Sequence, residues 1–247
     1  MPKTLSIYKV KDDAEKHYSK KELIFDVPFR LLISGKSQLS GKSNLLVNLL
    51  LRDEYYNKDF DGENIFLISP SITNDDKLKK IIKVKEIPDE NLFLEYDEDV
   101  LKELYKVLQD EYEEAKANGE KPQNKLIIFD DISYDGDLKA KKHGIINKIF
   151  SNGRHIMLSC ILTSQKYSDV LTSCRLNCNG AIIFNTNNRE LEMIETDHNY
   201  LDNKKEFMTM FRNVMKVPHS FLVVNYTNPM EQRYLDKNFD VISKVDN

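Results

Sequence analysis

The sequence lacks any apolar run approaching the roughly 18 residues that a membrane-spanning helix requires. Its first residues, Met1 to Thr4, also lack the apolar core of a secretory signal. Apolar residues make up 40% of the chain and charged residues 31%, which is ordinary for a globular protein. We therefore expect an intracellular protein with no membrane span.

Cysteine is scarce. The three residues Cys160, Cys174 and Cys178 cannot all pair, so we expect reduced thiols inside a cell. Cys174 and Cys178 have no second cysteine pair and no close histidine, which argues against a zinc site.

An excess of positive charge is also missing. The formal net charge is −4, which argues against a protein that coats nucleic acid with its outer surface.

No internal repeat is visible, and 247 residues suffice for one domain with a sizeable core. We predict an N-terminal arm or extension over residues 1–24, followed by a single domain over residues 25–247.

The most informative segment that is present is a phosphate-binding loop. Residues 35–43 read Gly-Lys-Ser-Gln-Leu-Ser-Gly-Lys-Ser, between an apolar strand predicted over 29–33 and a helix predicted over 44–51. In such a loop the backbone N–H groups and the helix N-terminus surround the β-phosphate. The lysine reaches the β/γ oxygens, and the serine hydroxyl holds Mg²⁺. The candidate ligands of ATP are Gly35, Ser40, Gly41, Lys42 and Ser43, and Ser43 is also a candidate ligand of Mg²⁺.

The loop departs from the strict pattern in its length. Five residues separate Gly35 from Gly41, where the pattern has four, and Lys36 occupies the expected glycine position. A plain Gly/Ser turn between a strand and a helix is the structural alternative. The flanking strand and helix favour nucleotide binding, because that context is the one that the motif requires.

A second segment places two acids at the end of a strand. Four apolar residues, 126–129, lead directly into Asp130 and Asp131, a pattern typical of a buried parallel strand. Ligands of open α/β sheets bind at the carboxyl ends of strands, so Asp130 is a candidate Mg²⁺ ligand. Asp131 is the candidate catalytic acid that orients or deprotonates water. A strand that ends in a solvated turn remains the alternative.

A third apolar strand, predicted over 156–165, ends in Gln165, whose amide could sense the γ-phosphate and the attacking water. Arg154 precedes this strand and so lies at its opposite end. That position suits an arginine finger donated to a neighbouring subunit better than a contact within the same chain. For Arg154 the alternative is a surface arginine paired with an acid, and for Gln165 a plain amide at a strand end.

Strand and helix signals alternate along the chain, which indicates βαβ units and a parallel sheet covered on both faces. We predict an α/β fold. The strands are predicted over 23–33, 65–69, 92–94, 125–131, 156–165 and 221–225, and the helices over 44–51, 97–118, 138–150 and 203–216.

In their order these segments resemble the poxvirus-type genome-packaging ATPases of large DNA viruses, in the FtsK–HerA division of P-loop motors. The resemblance runs from about Phe25 through Val241. Beyond the segments above it includes Gly153-Arg154-His155, Arg175-x-Asn177 before Ala181 to Phe184, Phe211, His219-Ser220-Phe221-Leu222 and Asn238-Phe239.

The resemblance implies a P-loop NTPase fold, a three-layer α/β/α sandwich with a mostly parallel central sheet of the RecA/FtsK type. It also implies a homo-oligomeric ring, a pentamer or hexamer, that uses ATP and Mg²⁺ to pull double-stranded DNA into a preformed capsid. Capsid or portal proteins would be partners, and the protein would lie in the host cytoplasm or viral factory, or with the virion. Arg154 and Arg175 are competing candidates for the finger. Asp131 occupies a position where many such motors carry Glu. Because the aspartate side chain is shorter, we expect the difference to affect ATP hydrolysis more than ATP binding.

The negative net charge does not contradict such a ring, since a few lysines lining a narrow pore are multiplied by the number of subunits. The candidate DNA contacts are Lys139, Lys141, Lys142 and His143, and a solvated helix start is their alternative.

Two other functional classes stay open. One is a small-molecule or nucleotide kinase, although the chain has no compact arginine-bearing lid segment. The other is a degenerate, non-hydrolysing nucleotide-binding module.

Overall fold

A computed structural model describes residues 11–22, 24–36, 40–132 and 144–242. Its eight strands are β1 Arg30–Ser34, β2 Ile65–Ile68, β3 Leu92–Phe93, β4 Lys125–Asp130, β5 Leu158–Ser164, β6 Gly180–Phe184, β7 Phe221–Asn225 and β8 Tyr234–Leu235. In these residues the helices are α1 Lys42–Leu51, α2 Asp76–Lys85, α3 Glu98–Ala117, α4 Ile145–Asn152, α5 Thr172–Asn177, α6 Asn188–His198 and α7 Lys204–Val214.

All eight strands form one sheet in the order β3-β2-β4-β5-β1-β6-β7-β8. The neighbours from β3 to β6 pair in parallel, whereas β7 pairs antiparallel with both β6 and β8. The predicted α/β fold with a mostly parallel sheet is confirmed.

Helices cover both faces of the sheet, because successive side chains of the central strands point to opposite sides. On β1, Leu31 and Ile33 pack into the core beneath α1 and α2, whereas Leu32 packs into the core on the side of α3, α4 and α7. On β4, residues 126 and 128 join the first core and residues 127 and 129 the second. The three-layer arrangement follows from these uninterrupted apolar runs.

Several predicted boundaries are wrong by a few residues. The first strand starts at Arg30 rather than near residue 23, because the buried apolar residues before it form irregular backbone outside the strand. The strand predicted over 156–165 starts at Leu158, because residues 153–156 form a 3₁₀ turn. The helix predicted over 138–150 is observed from Ile145 to Asn152, and residues 133–143 lie outside the described part of the chain.

Five elements, α2, α5, α6, β6 and β8, were not among those predicted from the sequence pattern. For α2 a signal was present: Asp75 caps its first turn, and the buried Leu78 and Ile81 recur at helical spacing.

Residues 11–22 contact the rest of the same chain. A 3₁₀ turn over 14–17 buries Ala14 in the core that contains α3, and Ser19 forms an antiparallel bridge with Val27. Asp12 accepts a hydrogen bond from His155 at 2.9 Å. The division of the chain at residue 24 stays a prediction. Within the described ranges, every helix is too short or too polar to cross a membrane.

Candidate nucleotide-binding site

The carboxyl ends of three central strands bring the predicted site residues together. Strand register pairs Ser34 with Ser164, and Asp130 with Thr163. Beyond β1, the N–H of Gly35 donates to the carbonyl of Ser164 at 3.0 Å. The start of the phosphate loop therefore lies beside the end of β5 and one strand away from the end of β4.

Two glycines of the loop occupy positions that demand glycine. Gly41 has a φ of 90°, in the left-handed region that L side chains rarely adopt. A Cβ on Gly35 would lie 2.7 Å from Cβ of Phe184 and 2.8 Å from Cβ of Ser40. Ser40 Oγ donates to the carbonyl of Lys36 at 2.7 Å, which ties the two described ends of the loop together.

Helix α1 begins directly after Gly41, and within the described residues no side chain caps its N-terminus. Helices α2, α3, α6 and α7 are instead capped by the side chains of Asp75, Asp97, Asn187 and Asn203. The first N–H groups of a helix have no intrahelical acceptor and carry positive partial charge. The N-terminus of α1 can therefore donate to a phosphate.

Lys42 is only 6% exposed and lies between the loop and the acids. Its Nζ donates to the carbonyl of Gly35 at 2.6 Å and lies 3.7 Å from Oδ1 of Asp131. Burial lowers the pKa of the Lys42 ammonium below its ordinary value, and the carboxylates of Asp131 and Asp130 oppose that shift. An additional anion at this position would satisfy a buried cation that has few polar neighbours.

Asp130 is buried and held by two hydroxyl groups. Thr163 donates to its Oδ1 at 2.7 Å, and Ser69, at the end of β2, donates to its Oδ2 at 2.9 Å. Burial raises the pKa of Asp130 above its ordinary value, while the hydrogen bond from Thr163 acts in the opposite direction. Thr163 thus fixes the carboxylate in a single orientation.

Asp131 adopts a φ of 50°, a conformation that aspartate tolerates better than most residues. Its N–H donates to Oγ1 of Thr163 at 3.2 Å, and its Oδ2 accepts from Nε2 of Gln165 at 3.1 Å. Oδ1 is buried and, among the described residues, has no hydrogen-bond donor, although it faces the Lys42 ammonium. One oxygen of Asp131 is therefore available to accept a proton or a hydrogen bond from a ligand.

Ser43 makes a contact that the sequence analysis did not foresee. Its Oγ donates to Oδ2 of Asp75 at 2.8 Å, although 32 positions separate the two residues. Ser69, Asp75 and Thr163 are the site residues that pattern reasoning did not single out. Their signal is positional, because Thr163 and Ser69 lie at or just beyond the carboxyl end of a parallel strand and Asp75 ends the loop that follows β2.

The two candidate fingers lie in different environments. Arg154 is exposed in the 3₁₀ turn before β5, and a strand of this length places it about 20 Å from the phosphate loop of its own chain. Arg175, on α5, is mostly buried; it donates to Oδ2 of Asp197 at 2.5 Å and lies 5.1 Å from the ring of Tyr167. The structure therefore does not bring either arginine into the site of its own chain.

Two clefts open beside the loop and meet at Ser40, Phe184 and His219. The larger has a volume of about 620 Å³ and is also lined by Tyr55 and Phe239, whose ring centroids lie 5.6 Å apart. A cleft of this size, with aromatic walls and an adjoining polar loop, has the character of a small-molecule pocket.

The donor set also fits a magnesium ion. A serine hydroxyl and a buried carboxylate, Ser43 and Asp130, are the hard oxygen ligands that Mg²⁺ prefers. In protein sites this ion is bound through one or two carboxylates together with water and substrate phosphates. The residues therefore fit a nucleotide-bound magnesium.

This geometry defines a class of protein. A phosphate loop opens a helix beside a strand ending in paired acids, inside a parallel sheet with helices on both faces, and that combination is the P-loop NTPase arrangement.

The family follows from sequence comparison. The sequence profile described as "Poxvirus A32 protein" matches residues 15–232, well over half of the chain. The chain belongs to this family, the poxvirus-type genome-packaging ATPases that its motifs resemble, so both that resemblance and the prediction of a P-loop ATPase are confirmed. Among curated proteins, none matches the sequence significantly.

Solved structures share the fold at low sequence identity. The genome-packaging NTPase B204 of Sulfolobus turreted icosahedral virus 2, in complex with AMP, is 16% identical with a TM-score of 0.55, covering 81% of this chain and 93% of B204. The DNA-packaging ATPase B204 of Sulfolobus turreted icosahedral virus is 17% identical with a TM-score of 0.55, covering 85% and 97%. EssC ATPases 2 and 3 of Geobacillus thermodenitrificans are 14% identical with a TM-score of 0.56, covering 89% of this chain but 40% of EssC.

Proposed function

We propose that this protein is an ATP-hydrolysing ring motor that translocates double-stranded viral DNA into a capsid. The observation that carries the proposal is the convergence of Lys42, Asp130, Asp131 and Gln165 at one edge of the sheet in a chain of the poxvirus A32 family. B204, described as a DNA-packaging ATPase, shares this fold and supports the biological setting.

The phosphates of ATP would lie over the N-terminus of α1. The backbone of Gly35, Ser40 and Gly41 would surround the β-phosphate, while Lys42 would exchange its contact with the Gly35 carbonyl for the β/γ oxygens. The sugar and base would extend into the clefts beside Ser40. Ser43 and Asp130 would hold Mg²⁺, which supplies charge neutralisation between the β- and γ-phosphates.

Asp131 is proposed as the acid that positions the attacking water. Its buried Oδ1 would accept a hydrogen bond from that water. As the water oxygen attacks the γ-phosphorus, Oδ1 would take up the proton. The bond from the γ-phosphorus to the β–γ bridging oxygen would break, giving ADP and phosphate. Gln165 holds Asp131 in place by donating to its Oδ2, and its amide would also contact the attacking water. Thr163 fixes both acids, which makes the geometry rigid before ATP binds.

Arg154 is proposed as the finger supplied to a neighbouring subunit. It is exposed and lies at the opposite end of the sheet from its own phosphate loop, so it can act only on another copy of the chain. Arg175 is committed to the ion pair with Asp197 and would have to leave it to act. Hydrolysis should accordingly depend on assembly.

The ring, a pentamer or hexamer, would surround double-stranded DNA and dock on capsid or portal proteins, in the host cytoplasm, the viral factory or the virion. Lys139, Lys141, Lys142 and His143 remain the proposed DNA contacts, and they lie outside the described residues. We also retain residues 25–247 as the proposed ATPase domain.

ATP hydrolysis measured against protein concentration, with and without double-stranded DNA, tests the proposal. We expect activity per subunit to rise cooperatively with concentration and to increase further with DNA, and we expect Lys42→Ala to abolish binding or turnover. The matched control is Lys79→Ala, which removes an exposed lysine on α2. Flat, DNA-indifferent activity in the wild-type protein would contradict the motor, and tight ATP binding without turnover would favour a non-hydrolysing module.

A further inference from the structure

Asp75 is an acid at the site that neither the phosphate loop nor the paired acids account for. It lies on the loop between β2 and α2, and its two carboxylate oxygens have different partners. Oδ1 caps α2 by accepting from the N–H groups of Lys77 and Leu78 at 2.8 and 3.3 Å. Oδ2 accepts from the Ser43 hydroxyl at 2.8 Å.

The hydrogen bond to Asp75 determines the direction in which the Ser43 hydroxyl presents its lone pairs. A serine hydroxyl has one proton and two lone pairs, and its proton points at Asp75. Its lone pairs are therefore left for a cation. The Ser43 hydroxyl donates to Asp75 rather than to Asp130, whose two oxygens accept hydrogen bonds from Thr163 and Ser69.

The position of Asp75 is itself fixed. Its cap ties the carboxylate to the first turn of α2, and Leu78 and Ile81 of that helix pack in the same core as Leu45 and Leu46 of α1. Two packed helices thus hold the donor and the acceptor, and the Ser43 side chain has little freedom to rotate.

From this geometry we propose that Asp75 is a positioning residue for the nucleotide-bound cation, acting through Ser43. It holds the Ser43 proton away from the metal position and so presents an oxygen lone pair to Mg²⁺. This inference rests on the proposed function, since it concerns the cation that accompanies ATP. Residues that orient a metal ligand typically contribute about 10- to 100-fold to metal affinity.

Asp75→Asn tests the idea, because it preserves the cap and reverses the hydrogen bond to Ser43. Asparagine is as good an N-cap as aspartate, so its Oδ1 can still accept from the N–H groups of α2. Its Nδ2, in the place of Oδ2, would donate to the Ser43 oxygen and compete with the cation. Asp75→Ser is a second variant that also keeps a good cap but is too short to reach Ser43 in the same way.

The measurement is ATP affinity by calorimetry in excess Mg²⁺ and again in EDTA. We expect both variants to lose at least about tenfold of the affinity gained from Mg²⁺, with unchanged affinity in EDTA. Asp97→Asn is the matched control, because Asp97 caps α3 through the same two N–H positions and is not among the site residues. It should keep the full Mg²⁺ effect.

Two results would overturn the inference in distinguishable ways. If the wild-type protein gains affinity from Mg²⁺ and both Asp75 variants gain as much, Asp75 is only a helix cap and the proposed function is untouched. If the wild-type protein binds ATP no better with Mg²⁺ than with EDTA, the proposed function fails first and this inference with it.

Discussion

Replacing Thr163 by valine removes one hydroxyl that serves both acids of the site. Thr163 donates to Oδ1 of Asp130 at 2.7 Å and accepts from the N–H of Asp131 at 3.2 Å. Valine has nearly the same shape and strong β propensity, so the strand should remain intact. The substitution therefore isolates the hydrogen bonds from the packing.

The size of the effect follows from the two bonds. A hydrogen bond to a charged group contributes about 1.5–3 kcal/mol, and a buried donor left without a partner costs about 1–3 kcal/mol. The lost bond to Asp130 and the unpartnered N–H of Asp131 act together, so we expect a net loss of about 3 kcal/mol in the free energy of unfolding. The pKa of Asp130 should rise further, since the bond from Thr163 is the largest influence that lowers it.

Urea unfolding and ATP hydrolysis measure the two consequences separately. The matched control is Thr196→Val, which removes an exposed helix hydroxyl that donates to the carbonyl of Glu192 and should cost less than about 1 kcal/mol. Thr163→Val should also weaken Mg²⁺-dependent ATP binding at acidic pH first, because a carboxylate with a raised pKa is protonated earlier as the pH falls. Equal unfolding free energies for the two variants, together with normal hydrolysis, would refute the role assigned to Thr163.

Three further predictions concern the arginines and a buried histidine. Arg154→Ala should preserve ATP affinity and lower the rate of ATP hydrolysis by about 10³-fold or more. Arg212→Ala, which removes another exposed arginine, should change neither quantity. A normal hydrolysis rate in Arg154→Ala would show that Arg154 has no part in the mechanism. Arg175→Ala should destabilise the fold by about 3 kcal/mol in urea unfolding, because it leaves the carboxylate of Asp197 without its cation, and an unchanged midpoint would contradict that. Burial lowers the pKa of His198 from 6.5 to about 4. As the pH falls, His198 therefore takes up a proton in the unfolded chain before it does so in the folded one. The free energy of unfolding should decrease between pH 6.5 and 4, by up to about 3 kcal/mol. His198→Gln should show a shallower pH dependence of unfolding over that range, and an identical slope would contradict the assignment.

The predicted strands at 65–69, 125–131 and 221–225 agree with the structure to within a residue or so, because short apolar runs between turn signals are a local property of the chain. The start of β1 was placed too early for a different reason. Ile24, Phe25, Val27 and Phe29 are buried like strand residues, but they precede β1 and are not part of it. Hydrophobic pattern alone does not separate buried irregular backbone from buried strand.

Arg175 illustrates what spacing does not reveal. As one of six residues in a short helix it could face a neighbour or its own core, and only the packing of α5 near α6 shows that Asp197 and Tyr167 hold it. The position of Arg154 could be predicted from the sequence. Because it comes before β5, it lies at the amino end of that strand, opposite the phosphate loop. Its role in a neighbouring subunit stays a prediction.

The phosphate loop, the paired acids and Gln165 could be located from the amino-acid pattern, because each lies next to a strand in the chain and parallel strands bring such residues to one edge of the sheet. The order of those segments also indicated the family. The pairing of each carboxylate oxygen with its hydroxyl donor could be seen only in the folded structure. The bonds from Ser43 to Asp75 and from Ser69 and Thr163 to Asp130 join residues 32 or more positions apart. Strand order and helix packing, rather than local propensity, set those distances.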